Sequence, residues 1–163
     1  ATANQQQAGA FTGAAAEQIT VVENELMKVG FTNKGGYPKY VELKDFKKYD
    51  STPVVLGGNG HSISYSVNTG NNQSAETRQL SFIASPVEKK GEEQVIRFTA
   101  ADSTGKSIEH IFTLKNNDYL IQWDVQLKGA GQLLTQGLLN INWDIVTHQQ
   151  ERDLKYEKGQ SNI

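Results

Sequence analysis

Two acidic residues each follow a tryptophan: Asp124 in IQWDV (121–125) and Asp144 in INWDI (141–145). Two carboxylates about 5–9 Å apart across a groove walled by aromatic rings would suit glycoside chemistry, one protonating the leaving oxygen and the other acting as nucleophile or base. The pattern around them favours a plainer reading. Trp123 shares parity with Ile121, Val125 and Leu127, and Trp143 with Leu139, Ile141 and Ile145. On strands, both rings then face the core and both aspartates face water. The three histidines, His61, His110 and His148, have no second histidine at metal spacing, and no HxH or HExxH occurs. His61 and His110 sit in strand-like runs and read as structural or surface residues. Glu109 precedes His110 but points the opposite way on a strand, although a sandwich can still bring His110 toward Asp124 or Asp144. The run GGNG (57–60) lacks the following Lys-Ser/Thr of a phosphate cradle, and no GxSxG elbow or GxGxxG fingerprint is present. Without cysteine there is no thiol nucleophile, disulfide or thiolate metal site. Neither a catalytic residue nor a cofactor is assigned.

Composition narrows the partners. A chain of 163 residues suits one domain and buries roughly 70% of its unfolded surface, so it holds a core without cross-links. Sixteen basic and 18 acidic side chains leave a formal charge of −2, which argues against the clustered basic face that nucleic acid requires. The densest basic spot, Lys44, Lys47 and Lys48, is interrupted by Glu42, Asp45 and Asp50 and reads as a solvated edge. No stretch approaches the ~20 apolar residues of a membrane span, and no secretory leader is visible.

The elements that must position these side chains are strands. Residues 1–17 are rich in Ala, Gln and Gly and read as a flexible linker. From there to residue 147 the dominant period is two. Met27, Val29 and Phe31 alternate with Lys28, Gly30 and Thr32, and the runs at 61–67, 119–128 and 139–145 behave alike. Turn chemistry at 33–36, 57–60, 69–72, 88–93, 101–105 and 116–118 separates the runs. This predicts nine to eleven antiparallel strands with short connections, an all-β sandwich, over residues 18–147. Phe31, Trp123 and Trp143 are its expected core aromatics. Residues 148–163 read as a connecting segment, with HQQERDLKY (148–156) forming a short helix or a turn.

The stretch FTNKGG (31–36), followed by VELKDF (41–46), resembles the large periplasmic domain of YidC-type membrane protein insertases. ITVVENELM (19–27) is similar to the family's entry strands and FTLKNNDYLIQWDV (112–125) to its central hairpin. LNINWD (139–144) with QQER (149–152) looks like its Bacteroidetes branch. The resemblance implies a β-supersandwich shaped like galactose mutarotase. It also implies a noncatalytic role on the periplasmic side of the inner membrane, in a protein whose membrane spans lie outside these residues. Partners would be translocation components and nascent membrane proteins, met through protein contacts or scaffolding. Gln149, Gln150, Glu151 and Arg152 are the expected coupling segment toward the membrane. The alternative is a secreted carbohydrate-binding or mutarotase-like sugar-modifying domain.

Overall fold

A computed structural model describes residue 11 and residues 16–70, 72–146, 149 and 151–160. Twelve strands are present among them. The first four are β1 (Ile19–Glu23), β2 (Met27–Thr32), β3 (Tyr37–Lys47) and β4 (Pro53–Gly57). Then come β5 (Ser62–Gly70), β6 (Gln73–Glu76), β7 (Ile83–Ala84) and β8 (Glu88–Lys90). The last four are β9 (Glu93–Ala101), β10 (Ser107–Lys115), β11 (Ile121–Lys128) and β12 (Ile141–Asp144). The only α-helices described are α1 (Ala130–Leu133) and α2 (Leu154–Gln160), too short to cross a membrane.

Every pairing is antiparallel, and the strands form three sheets. The first is the meander β1-β2-β3-β4. The second runs β11-β10-β9-β7, with β8 also on β9. The third runs β12-β5-β6, so the late strand β12 returns to the early strand β5. The architecture is an all-β sandwich.

Period two decides what is buried. On β10 the row Ile108, His110, Phe112 and Leu114 is inside and its alternates are wetter. On β2 the row Met27, Val29 and Phe31 is inside. The Phe31, Phe98 and Phe112 rings lie with centroids 4.8–6.2 Å apart and join the first sheet to the second. The other face of β2 is covered as well. Gly30 lies under the Tyr40 ring so closely that a Cβ would stand 2.2 Å from Tyr40 Cε1.

The turn after β2 closes through glycine. Gly35 and Gly36 have φ of 84° and 60°, a region that side chains with a Cβ resist. Gly36 also lies against the Phe98 and Phe82 side chains. Asn24, in the β1–β2 connection, is nearly buried and uses its whole amide. Its Nδ2 donates to the Lys115 and Asp118 carbonyls at 2.7 and 2.8 Å, and its Oδ1 accepts from the Leu26 and Met27 amides. One side chain thereby ties the first hairpin to the β10–β11 connection.

Two expectations are corrected. Phe11 lies within the residues read as linker, yet it is 4% exposed, sits in the core and bridges to Asp102. A single aromatic ring is large enough to dock even when its neighbours are small and polar. Trp143, expected in the core, is 64% exposed, and all four residues of β12 are exposed. Alternation does put Trp143 on the same side of β12 as Ile141, but no described layer covers that side.

Candidate functional site

Of the two described histidines, His110 is the fully buried one. It is 1% exposed, between Phe82 stacked at 4.8 Å and Trp123 edge-on at 5.2 Å. Its Nδ1 is 2.7 Å from the Gly36 carbonyl, which can only accept, so Nδ1 carries a proton. Burial pushes the imidazole down to about 4, with the Gly36 carbonyl opposing. The ring is therefore neutral at pH 7, and Nε2 accepts from the Tyr65 hydroxyl at 2.7 Å. Burial raises the Tyr65 phenol, which stays protonated. Every polar atom of the ring is satisfied internally. The structure brings His110 to Tyr65 and Gly36, not to Asp124 or Asp144, so this is a pinning residue of the core.

The two aspartates do not form a paired site either. Asp124 accepts from Gln122 Nε2 at 2.9 Å on the outer face of β11. Asp144 accepts from Ser62 Oγ at 3.1 Å and stands 3.5 Å from Arg78 Nη1. Each points away from the surface lined by its neighbouring tryptophan. Among the described residues no group of acidic and histidine side chains is arranged to hold a metal.

One concave feature among the described residues is apolar. A groove of about 630 Å³ opens between the first sheet and the strands β11 and β12. Tyr37, Tyr40 and Leu56 line one wall, and Ile121, Trp123 and Trp143 the other. The elements explain its shape. The groove-side row of β11 (Ile121, Trp123, Val125 and Leu127) is only half-buried, unlike the fully buried row of β10 beside it. The Trp123 ring stacks on Phe112 at 5.9 Å with 13° between planes, so its inner face is packed and its outer face open. Its indole Nε1 is buried with no hydrogen-bond acceptor.

His61 stands at one end of the groove. Its ring is 6.2 Å from Tyr37 and 6.4 Å from Trp143, both edge-on. Burial lowers its pKa, while the Pro38 and Asp144 backbones favour the charged form. Its Nδ1 makes no hydrogen bond. The Tyr37 hydroxyl donates to the His61 carbonyl at 3.2 Å and fixes the loop before β5. The groove can hold apolar side chains and offers two unused polar nitrogens, His61 Nδ1 and Trp123 Nε1. It has no acid–base pair. Sequence reasoning missed it because Leu56, Trp123 and Trp143 lie far apart in the chain.

The residues expected to couple the domain to the membrane are partly described. Gln149 Nε2 donates to the Glu151 carbonyl at 2.8 Å, and the Glu151 amide reaches Glu157 Oε2 of α2 at 3.3 Å. Arg152 is exposed. Gln150 and His148 lie outside the described residues.

The profile of a family described as "YidC periplasmic domain" matches residues 19–161. Proteins named membrane protein insertase YidC are similar over most of the chain. That of Bacteroides fragilis is 32% identical over 144 residues, covering 86% of this chain and 22% of the relative. That of Parabacteroides distasonis is 29% identical over 145 residues, again 86% and 22%. That of Cytophaga hutchinsonii is 26% identical over 163 residues, 98% and 25%. The chain thus spans about a fifth to a quarter of the length of the curated relatives it matches. No solved structure gives a significant match.

Proposed function

This chain belongs to the YidC periplasmic domain family, and we propose that it serves as a noncatalytic part of a membrane protein insertase on the periplasmic face of the inner membrane. The observation that carries this reading is the extent of the family match, residues 19–161, which takes in all twelve described strands. Relatives at 26–32% identity carry the insertase name. The role is scaffolding or protein contact. Sheet edges supply unpaired backbone donors and acceptors to an extended partner, which suits translocation components or emerging membrane proteins. The coupling role belongs to Gln149, Gln150, Glu151 and Arg152.

The sugar-binding alternative is less well supported. A site for sugar hydroxyls is built from converging amides and carboxylates, whereas this groove is walled by aliphatic and aromatic side chains. Fold likeness to sugar-processing proteins carries no activity by itself.

Membrane fractionation of the native protein tests the reading, with an antibody raised against these residues. The expected result is an alkali-resistant inner-membrane protein of mass well above 18.0 kDa. A soluble species near that mass overturns it. For the coupling segment, alanine at 149–152 in the full-length protein should lower insertion of a reporter membrane protein. Unchanged insertion removes that role.

A further inference from the structure

Phe11 precedes the residues that the family profile matches, yet it is docked. Its ring lies in the core, and its backbone pairs antiparallel with Asp102 at the β9–β10 turn. That turn is a firm receiver. The Asp102 side chain is fully buried and accepts from the Thr104 and Lys106 amides at 2.9 Å each, with Lys106 Nζ at 3.2 Å. A second attachment, at residues 16–18, lies on the first sheet. The Asn33 side chain accepts from the Gln18 amide at 2.7 Å and donates to the Ala16 carbonyl at 3.1 Å. Glu17 receives Lys39 Nζ at 2.7 Å on both carboxylate oxygens and the Thr32 hydroxyl at 2.8 Å. The N-terminal segment is thus fixed at two points, one on each of two sheets.

We propose that Phe11 is a releasable latch that sets the length of the tether between this domain and the polypeptide before it. The two attachments differ in kind. Residues 16–18 are held by several hydrogen bonds and an ion pair, whereas Phe11 is held by one ring and one backbone bridge. Every other residue from 9 to 16 is glycine, alanine or threonine, so no second large apolar side chain shares the hold. Ordering those residues costs conformational entropy of the same order as the gain from burying one ring. The ring therefore lets go before the clamp at 16–18 does. Release moves the last fixed point from residue 11 to residue 16 and adds five residues, at most about 17 Å, to the tether. Latched, the segment crosses from the first sheet to the second and leaves the domain at a defined place. Released, the domain swings on the longer tether. The latch itself rests on no functional reading. Its consequence, a set reach between the domain and the membrane, rests on the insertase reading.

The test uses the purified full-length protein with spin labels on Gly9→Cys and Lys89→Cys. Any cysteines outside these residues are replaced, since residues 1–163 contain none. Lys89 is exposed on β8 and pairs with Gln94, at the end of β9 far from Asp102. Double electron–electron resonance reads the distance between the labels. With Phe11 docked, position 9 is two residues from a fixed point and stays within about 7 Å of it; with only residues 16–18 held it is seven residues away and ranges over about 25 Å. The expected result is one narrow distribution with Phe11 intact, at least about twofold broader in Phe11→Ala and intermediate in Phe11→Leu. Phe11→Leu carries the comparison if the alanine variant does not fold. Met27→Ala, a core change beside Asn24 at the β10–β11 end of the sandwich, should leave the distribution narrow. So should Glu17→Gln, which weakens the other attachment. A broad distribution with Phe11 intact overturns the proposal, and so does an unchanged width on truncating the ring. Broadening by Met27→Ala equal to that by Phe11→Ala also overturns it, because any loosening of the core would then suffice. Broadening by Glu17→Gln overturns it by making the clamp the holder. A soluble species on membrane fractionation, by contrast, would strike the insertase reading and leave these distances as they stand.

Discussion

Acidification from pH 7.5 to 5 should weaken the fold through one side chain, His110. Its folded pKa is about 4, and an exposed imidazole titrates near 6.5. The folded value is depressed, so the stabilisation is fully present above about pH 6.5 and is lost as the pH falls toward 4. At pH 5 the unfolded chain has taken up nearly a whole proton at this site and the native chain about a tenth of one. Linkage then gives a loss of roughly 2 kcal/mol between pH 7.5 and 5. That should move a urea midpoint by about 1 M for a slope near 2 kcal/mol/M. The depressed carboxylates Glu17, Glu23 and Glu88 act lower, because their unfolded forms titrate near 4.3. His61 is shifted in the same direction but is less buried, so its share is smaller and His61→Gln measures it. His110→Gln removes the titrating ring while keeping a donor for the Gly36 carbonyl and an acceptor for Tyr65. It should cost about 1–3 kcal/mol at pH 7.5 and flatten the pH dependence. Urea curves at four pH values, with the imidazole followed by NMR, decide the matter. Equal losses in the two proteins between pH 7.5 and 5 would refute the buried neutral ring as the source.

Five further substitutions probe the packing by urea unfolding. Gly30→Ala should cost about 1–3 kcal/mol by forcing the Tyr40 ring aside, and Tyr40→Ala should relieve part of that cost; strict additivity would reject the contact. Asn24→Ala strands two carbonyls and two amides and should cost about 2–4 kcal/mol, whereas a change under 0.5 would mean that water replaces the amide freely. In residues 1–163 alone, Trp123→Ala should cost about 2–4 kcal/mol and Trp143→Ala under about 0.5, since only Trp123 is packed against the core; equal costs would contradict the exposure difference.

Much of the sandwich was legible because a strand buries alternate residues. The inside row of β2 could be read from the sequence, and so could the glycine turn at 35 and 36. Trp143 shows where that logic stops. Alternation fixes which residues share a side of β12, but burial needs a second layer, and what lies opposite is not written in the strand itself. Phe11 failed for the converse reason, since composition averages over a segment and one ring docks alone. The groove was invisible because its walls come from strands whose pairing period two does not specify. From the sequence His110 reads as structural or surface, and its partners Tyr65 on β5 and Gly36 in the β2–β3 turn are brought to it only by the topology.

The bond from His110 to Gly36 spans 74 residues. It places the acceptor in the glycine turn and the donor in a strand made much later. On a ribosome adding roughly 5–20 residues each second, the turn is synthesised about 4–15 s before the ring that locks it. Through that interval the inner face of the first sheet has no β10 to cover it, and Phe31 waits for Phe112. Birth order therefore gives this domain a vulnerable age, during which its earliest strands are complete in sequence and unfinished in structure.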